Sequence, residues 1–116
     1  MQTEVTTHHT GSACVLRVHG ALASEADVPL LNAYNAATTN GASCIVLDFQ
    51  HATTINSAGV ALVLRIATEC GRHEQQIAFS SLDNRFATLF RMAGLTQFGT
   101  MYATSADAVA MCDRQA

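Results

Sequence analysis

The most informative stretch of this chain is residues 44–71, which read CIVLDFQHATTINSAGVALVLRIATECG. Residues 44–49 form a nearly continuous apolar run, which is typical of a central strand covered on both faces. A polar segment follows, and from Ser57 to about Cys70 the chain is apolar around much of a helical circumference. The stretch therefore predicts a buried strand, a polar loop, and a helix that begins at Ser57 and is ended by Gly71.

The hydrophobic pattern on either side predicts more strands and helices in alternation. We expect further strands at 4–9, 13–19, 76–80 and about 98–102. Further helices are expected near 27–39, from 84 until Gly94-Leu95, and from 105 to 114, with Asp83 as a cap. Alternation of this kind implies right-handed crossovers and a sheet packed with helices, so the predicted class is α/β. The methionines beside these segments are expected to fill the core: Met92, Met101 and Met111.

Length and charge limit the classes of function. The chain has 116 residues, of which 49% are hydrophobic and 13% charged, a composition typical of one globular domain. A formal net charge of -3 with six Lys plus Arg leaves no basic stripe for nucleic acid or an anionic membrane surface. The longest apolar run is too short to cross a bilayer, and the N-terminus does not read as a signal peptide. We expect a cytoplasmic domain with no nucleic acid partner and no membrane insertion.

The cysteines and histidines do not form a metal-binding motif. The four cysteines are far apart and none belongs to a C-x-x-C pair, so free buried thiols are expected rather than a zinc site or a disulfide framework. The five histidines lack the spacing of zinc-binding helices, and there is no glycine-rich phosphate loop. The sequence therefore predicts no cofactor and no metal.

Ser57 is the main candidate for a functional residue. At the start of a helix the backbone N–H groups are unpaired and the helix dipole is positive. A phosphate on this hydroxyl would be tolerated there while changing the surface presented to a partner. Asn56 and Ser57 are also both good N-cap residues, so a structural role stays open. Gly59 indicates close backbone approach, and Asp48 is either an acid beside the phosphate or an acceptor for N–H groups.

Several of these motifs resemble the STAS domain, which bacterial anti-sigma factor antagonists and sulphate transporter tails share. The most specific match is residues 55–60, INSAGV, which resemble the family's apolar-Asp-Ser-Ser-Gly-apolar signature. Support comes from Ala93-Gly94-Leu95, from Gly20-Ala21-Leu22 and from the order of the elements. The resemblance spans about residues 4–112 of a single domain, 1–116. It implies a STAS-like α/β fold, with a mixed four- to five-stranded sheet and about four helices.

The resemblance also implies a function. It predicts a non-enzymatic switch that binds an anti-sigma factor, a serine-kinase-like protein, while the serine of the signature is unmodified. Ser57 matches the phosphorylated position. The implied partner surface consists of Asn56, Ser57, Ala58, Gly59, Val60, Ala61 and Leu64. The residues expected in the loops near this site are Ala23, Asp48, His51, Thr53 and Thr54.

The chain departs from the family pattern at two acids and one serine. The family usually carries Asp where this chain has Asn56, an acid where it has Ala23, and a second serine where it has Ala58. Loss of the acids favours an alternative, a non-switching scaffold subunit of a stress-sensing complex or of a transporter. Weak surface charge also permits a weak homodimer.

A serine hydrolase is the remote alternative. Residues 56–59 resemble the latter part of a G-x-S-x-G nucleophile elbow, with His51 or His73 as base and Asp48 as acid. The fit is poor because Ile55 stands where the elbow needs glycine. We expect no catalytic residue.

Overall fold

The computed structural model describes residues 3–115, with side chains described for residues 3–112. Its strands are β1 Glu4–Thr10, β2 Ala13–Leu22, β3 Cys44–Ile55, β4 Gln76–Ser80 and β5 Thr100–Tyr102. Its α-helices are α1 Asp27–Thr39, α2 Ser57–Arg72, α3 Asn84–Met92 and α4 Ser105–Gln115. Two short 3-10 helices occupy Ser24–Ala26 and Leu95–Gln97. Within these residues no helix is long and apolar enough to cross a bilayer.

The five strands form one mixed sheet in the order β1-β2-β3-β4-β5. β1 is antiparallel to β2, and the other neighbours are parallel. A helix connects each pair of neighbouring parallel strands, and each connection leads to the next strand on the same side. Right-handed crossovers therefore place α1, α2 and α3 on one face of the sheet. α4 packs on the other face. The predicted α/β class with a mixed sheet is confirmed.

Successive side chains of β3 point to opposite faces of the sheet, so the strand contributes to a hydrophobic cluster on each face. Ile45, Leu47 and Phe49 belong to the larger cluster, under α1, α2 and α3. Cys44 and Val46 point the other way, into a smaller cluster with α4. Because both faces of this segment are covered, the apolar run from residue 44 does not alternate with polar residues.

β3 is six residues longer than the sequence predicts. Residues 50–55, expected as a polar loop, continue the strand, and Leu22 of β2 pairs with Ile55. Bulges between Arg17 and His19 and between Gly20 and Ala21 adjust the register. Most of the added residues are exposed, so their polarity reflects the absence of a covering helix rather than a loop.

The turn after α2 also differs from the prediction. The helix continues through Gly71 to Arg72, and Gly71 does not adopt a positive φ. The left-handed residue is Glu74, with φ 55°. The Gln75 N–H donates to the Cys70 carbonyl at 2.8 Å, which closes the turn.

Two of the four cysteines are bonded, against the expectation of free thiols. A disulfide joins Cys44 at the start of β3 to Cys112 in α4. Cys14 and Cys70 are free and buried, as predicted. The pair is 68 residues apart in sequence, and it meets only because α4 crosses the beginning of the central strands.

Candidate functional site

A single residue, Asn56, connects β3 to α2. Its backbone is extended, and its side-chain oxygen accepts a hydrogen bond from the Gly59 N–H at 3.0 Å. Its own N–H donates to the Leu22 carbonyl at 3.3 Å. Of the two cap candidates, Asn56 is therefore the N-cap, and it also ties the start of α2 to the end of β2.

Ser57 is the first residue of α2, as predicted, and it is exposed. The cap is made by Asn56, so the Ser57 hydroxyl is not needed for that role. No acidic residue lies in the first turn of α2. The positive end of the helix dipole is therefore not neutralised by the helix itself, which leaves a favourable place for an anionic group on Ser57.

Gly59 sets the distance between α2 and the sheet. A Cβ added at Gly59 would overlap the Leu22 carbonyl oxygen, so only glycine allows this approach. Gly59 is buried and is therefore a packing residue, with no side chain to offer a partner. The rest of the predicted surface is open to solvent to different degrees. Ala58 and Ala61 are exposed, and Val60 and Leu64 are half-buried.

An apolar groove lies beside Ser57, between α2 and α3. Its volume is about 350 Å³, and its walls are formed by Ile55, Asn56, Ser57, Val60, Leu89, Met92 and Ala93. Met92 is 80% exposed and Leu89 38% exposed. Large apolar side chains left open in this way are typical of surfaces that contact other proteins.

The contribution of α3 to this groove was not predicted, and the assignment of Met92 to the core was wrong. The signal was present in the helical stripe. Phe86 and Phe90 are buried, and Met92 lies two positions after Phe90, about 200° around the helix from it and so nearly on the opposite face. A residue at that position faces solvent, so an apolar side chain there needs a different explanation from core packing.

Asp83 fixes the start of α3 and with it the outer wall of the groove. Its carboxylate accepts the Phe86 N–H at 2.9 Å and binds the Arg85 guanidinium at 2.9 Å. These two contacts hold the pKa of Asp83 below its usual value, and the hydrogen bond from the Phe86 N–H has the larger effect. The predicted N-cap at Asp83 is confirmed.

Asp48 is not beside Ser57, where an acid near the phosphate would lie. It is fully buried and accepts hydrogen bonds from Arg17 Nε at 3.1 Å and from the Ser80 hydroxyl at 2.7 Å. Arg17 also donates to the Ser105 hydroxyl at 3.2 Å, so the cluster lies under α4. The role of Asp48 is therefore structural.

The other residues expected in loops near Ser57 are mostly elsewhere. His51 lies within β3, about 13 Å along the strand from Ile55, and its ring stacks on His19 at 4.9 Å. Thr53 and Thr54 are exposed residues of the same strand, and Thr54 borders a smaller pocket against α3. Ala23 is half-buried and directly follows Leu22, next to the start of α2.

These positions contradict the arrangement of a serine hydrolase. Asp48 is bonded to Arg17 and Ser80, and His51 is stacked on His19. Neither residue is available to build a triad on Ser57, and His73, the other proposed base, lies at the opposite end of α2, beside Glu69. In the part of the chain with described side chains, no group of three His, Cys, Asp or Glu residues could hold a metal ion.

Comparisons with known proteins agree with this fold. Residues 5–102 match the protein family described as "Mlab, STAS domain". A search of curated proteins found no match. Among solved structures, an anti-sigma factor antagonist from Mycobacterium paratuberculosis aligns with a TM-score of 0.83 and 15% identity, over 97% of this chain and 95% of that chain.

Two further solved structures have the same fold. The phosphorylated form of SpoIIAA, a Bacillus cell fate determinant, aligns with a TM-score of 0.72 and 22% identity, over 92% of this chain and 97% of that chain. A STAS domain protein from Planctomyces limnophilus, described as an anti-sigma-factor antagonist, aligns with a TM-score of 0.76 and 13% identity, over 97% of this chain and 98% of that chain. At these identities the likeness is one of fold.

Proposed function

Because the chain belongs to the STAS domain family, we propose that it is a cytoplasmic, non-enzymatic anti-sigma factor antagonist. Unmodified, it binds an anti-sigma factor of the serine kinase class through the start of α2, and phosphorylation of Ser57 releases that partner. The observation that carries the proposal is the exposed Ser57 hydroxyl beside an open apolar groove. Support comes from the solved structures of similar fold, which include anti-sigma factor antagonists and a phosphorylated form.

Binding of the unmodified form would be driven by the groove. Met92 and Leu89 expose apolar surface on α3, and Val60 and Ile55 form the facing wall. A partner that inserts an apolar side chain would remove this surface from water, which contributes roughly 25 cal/mol for each Å² buried. Ser57 lies at the edge of the same groove, so a partner seated there would also cover its hydroxyl.

Phosphorylation would act on the complex more than on the free protein. The free helix N-terminus has no acid of its own, so it accommodates the roughly two negative charges of a phosphate. The same charges would lose their water when the partner covers the groove. If this loss were about 4 kcal/mol, the affinity would fall roughly a thousandfold, which is enough to convert binding into release.

The decisive variant is Ser57→Asp, which places a negative charge at the first position of α2. We expect it to stabilise the isolated domain by about 0.3–1 kcal/mol, measured by urea denaturation, because the charge faces the positive end of the dipole. We expect the same variant to lose its partner in affinity capture from native cytosol. Thr68→Asp is the matched control, since Thr68 is exposed on the same face of α2, about 16 Å further along.

The capture experiment must also identify the partner and the state of Ser57. Mass spectrometry of the retained proteins should find a partner with a serine kinase domain, and the purified partner with ATP should phosphorylate Ser57 but not a Ser57→Ala variant. Calorimetry with that partner then measures the affinity of each variant. Equal affinity of wild type and Ser57→Asp would contradict the switch.

The groove has its own test, which does not depend on Ser57. Met92→Ser should weaken partner binding because it removes the most exposed apolar side chain of the groove wall. Val28→Ser is the control, since Val28 is likewise a largely exposed apolar residue, at 66%, but lies on α1, outside the groove. If both variants bind the partner as wild type does, the groove is not part of the interface.

The second candidate is a scaffold subunit that stays docked in a stress-sensing complex or a transporter. It is favoured by the acids missing around Ser57, since the first turn of α2 has none and the family positions carry Asn56 and Ala23. In that case the same groove binds its partner permanently. The Ser57→Asp variant would then retain the partner in affinity capture, and Met92→Ser would still weaken it.

A further inference from the structure

α4 is held on the sheet at two points. Near its start, the Ser105 hydroxyl accepts a hydrogen bond from Arg17 at 3.2 Å. Towards its other end, Cys112 is bonded to Cys44 of β3. Between these points the helix contributes the buried Ala108 and the partly buried Val109 to the core, and the half-buried Met111 lines the neighbouring pocket.

The contacts between these two points are weak for a helix of this length. The cluster under α4 consists of alanines, valines and the two bonded cysteines, with Tyr102 at its margin. The opposite face, by contrast, contains Phe79, Phe86, Phe90 and several leucines. Since the free energy gained by burial scales with apolar area, packing contributes less to holding α4 than it contributes to holding α1, α2 and α3.

We propose that the Cys44–Cys112 bond is a redox-controlled clasp: when it is oxidised, α4 is fastened to the sheet, and when a dithiol reduces it, the second half of α4 separates. The first half remains attached through Ser105 and Arg17, because that contact does not involve sulfur. The apolar groove beside Ser57 lies on the other face of the sheet, so separation of α4 does not change it directly.

A small dithiol can reach the bond. Both cysteines line a pocket of about 330 Å³ at the beginning of β3 and β4, which is bordered by Phe98 and Gly99. Cys112 is 4% exposed and Cys44 1%, so Cys112 is the more accessible residue of the pair. Attack on it is therefore expected to be slow but to need no unfolding of the central sheet.

The reaction is an ordinary thiol–disulfide exchange. A thiolate of the dithiol attacks Cys112 Sγ, the bond to Cys44 breaks, and Cys44 leaves as a thiolate that takes up a proton. The second thiol of the reagent then attacks the mixed disulfide and closes a disulfide within the reagent, which releases Cys112 as a thiol. The protein gains two electrons and two protons, and the dithiol loses them.

The remaining cysteines are unsuited to this chemistry. Cys14 and Cys70 are buried and free. Burial raises the pKa of the Cys70 thiol to about 12 and also raises that of Cys14. Neither forms much thiolate near neutral pH, so they do not compete for the Cys44–Cys112 pair.

The first measurement is the number of thiols that an alkylating reagent modifies in denaturant, read by intact mass. We expect two modified cysteines, Cys14 and Cys70, without reductant, and all four after treatment with dithiothreitol. Peptide mapping should recover Cys44 linked to Cys112. Four modified cysteines in the unreduced, air-purified protein would overturn the proposal, since the bond would then not form.

The second measurement is hydrogen exchange of the folded protein with and without dithiothreitol. Reduction should speed exchange in residues 109–112 roughly tenfold or more, while the strands β2 and β3 stay protected. Cys112→Ala should exchange fast in both conditions, and Cys14→Ala should respond to reduction as wild type does. Unchanged exchange of α4 on reduction of wild type would refute the clasp, even if the bond itself is found.

Discussion

A methyl group added at Gly59 of α2 would meet backbone, whereas one added at Gly71 of the same helix would meet open space. The two glycines therefore give opposite predictions for a change to alanine. Gly59→Ala should destabilise the domain by about 3 kcal/mol, because the new methyl overlaps the Leu22 carbonyl and the helix must move. Gly71→Ala should stabilise it by about 0.5–1 kcal/mol, since nothing lies within 4 Å of the added methyl and alanine favours a helix. Urea denaturation measures both, and a loss of stability at Gly71 equal to that at Gly59 would contradict the argument.

Asp83 gives a prediction about pH. Its pKa is lower in the folded protein than its ordinary 3.8, so the folded state binds the proton less readily than the unfolded state. The resulting stabilisation is complete above the ordinary value and is lost as the pH falls through the lower folded value. Between about pH 6 and about pH 3, wild type should therefore lose more stability in urea denaturation than Asp83→Asn, which keeps an acceptor but does not titrate there. Equal losses would show that Asp83 contributes nothing to acid sensitivity.

Sequence reasoning predicted individual residues well where the cause is local. The start of α2 at Ser57, the tight approach at Gly59 and the cap at Asp83 follow from helix geometry and from the few residues around each position. Met92 was misplaced although the stripe of α3 puts it opposite the buried Phe90, and Asp48 was misplaced because its surroundings come from other elements. The part that could not be derived from α3 alone is the groove that Met92 forms with α2, just as the burial of Asp48 depends on α4.

At the scale of elements, the length of β3 was the main feature that the sequence concealed. The apolar run ends at Phe49 because both faces of the sheet are covered only up to that point. Beyond it β3 continues beside β2 with polar residues, and this brings Ile55 level with Leu22. The extension matters for the site, because it places Asn56 and Ser57 directly beside the end of β2 and leaves no flexible loop between strand and helix.

The Arg17–Asp48 pair couples β2, β3, β4 and α4, so its loss should be costly. Arg17→Met leaves the buried Asp48 carboxylate with only the Ser80 hydroxyl, and we expect a loss of about 3 kcal/mol in urea denaturation. The double variant Arg17→Met with Asp48→Leu should recover much of that loss, because no buried charge remains.

A surface ion pair supplies the control for this experiment. Arg65 lies 4.0 Å from Asp27, and both side chains are more than half exposed. Arg65→Met should therefore change stability by no more than about 0.5 kcal/mol. If Arg17→Met is equally harmless, the buried pair does not hold these elements together.

At the scale of the whole molecule, the order of the strands determines which distant residues meet. Because all parallel steps go in one direction, α1, α2 and α3 share a face and α4 is left to cover the other. The class of fold and the elements could be read from periodicity, but the meeting of Cys44 with Cys112 could not. The four cysteines allow several pairings, and only the path of the chain after β5 selects this one.

The disulfide should therefore stabilise the whole domain, and mainly through the unfolded chain. It closes a loop of 68 residues, and the entropy that this removes from the unfolded state corresponds to about 4 kcal/mol. Cys112→Ala and Cys44→Ala should each lower the free energy of unfolding by up to that amount under oxidising conditions, measured by urea denaturation. With dithiothreitol present, wild type should approach the two variants. A wild type that stays equally stable in the reductant, with its bond shown by mass to be broken, would mean that packing alone secures α4.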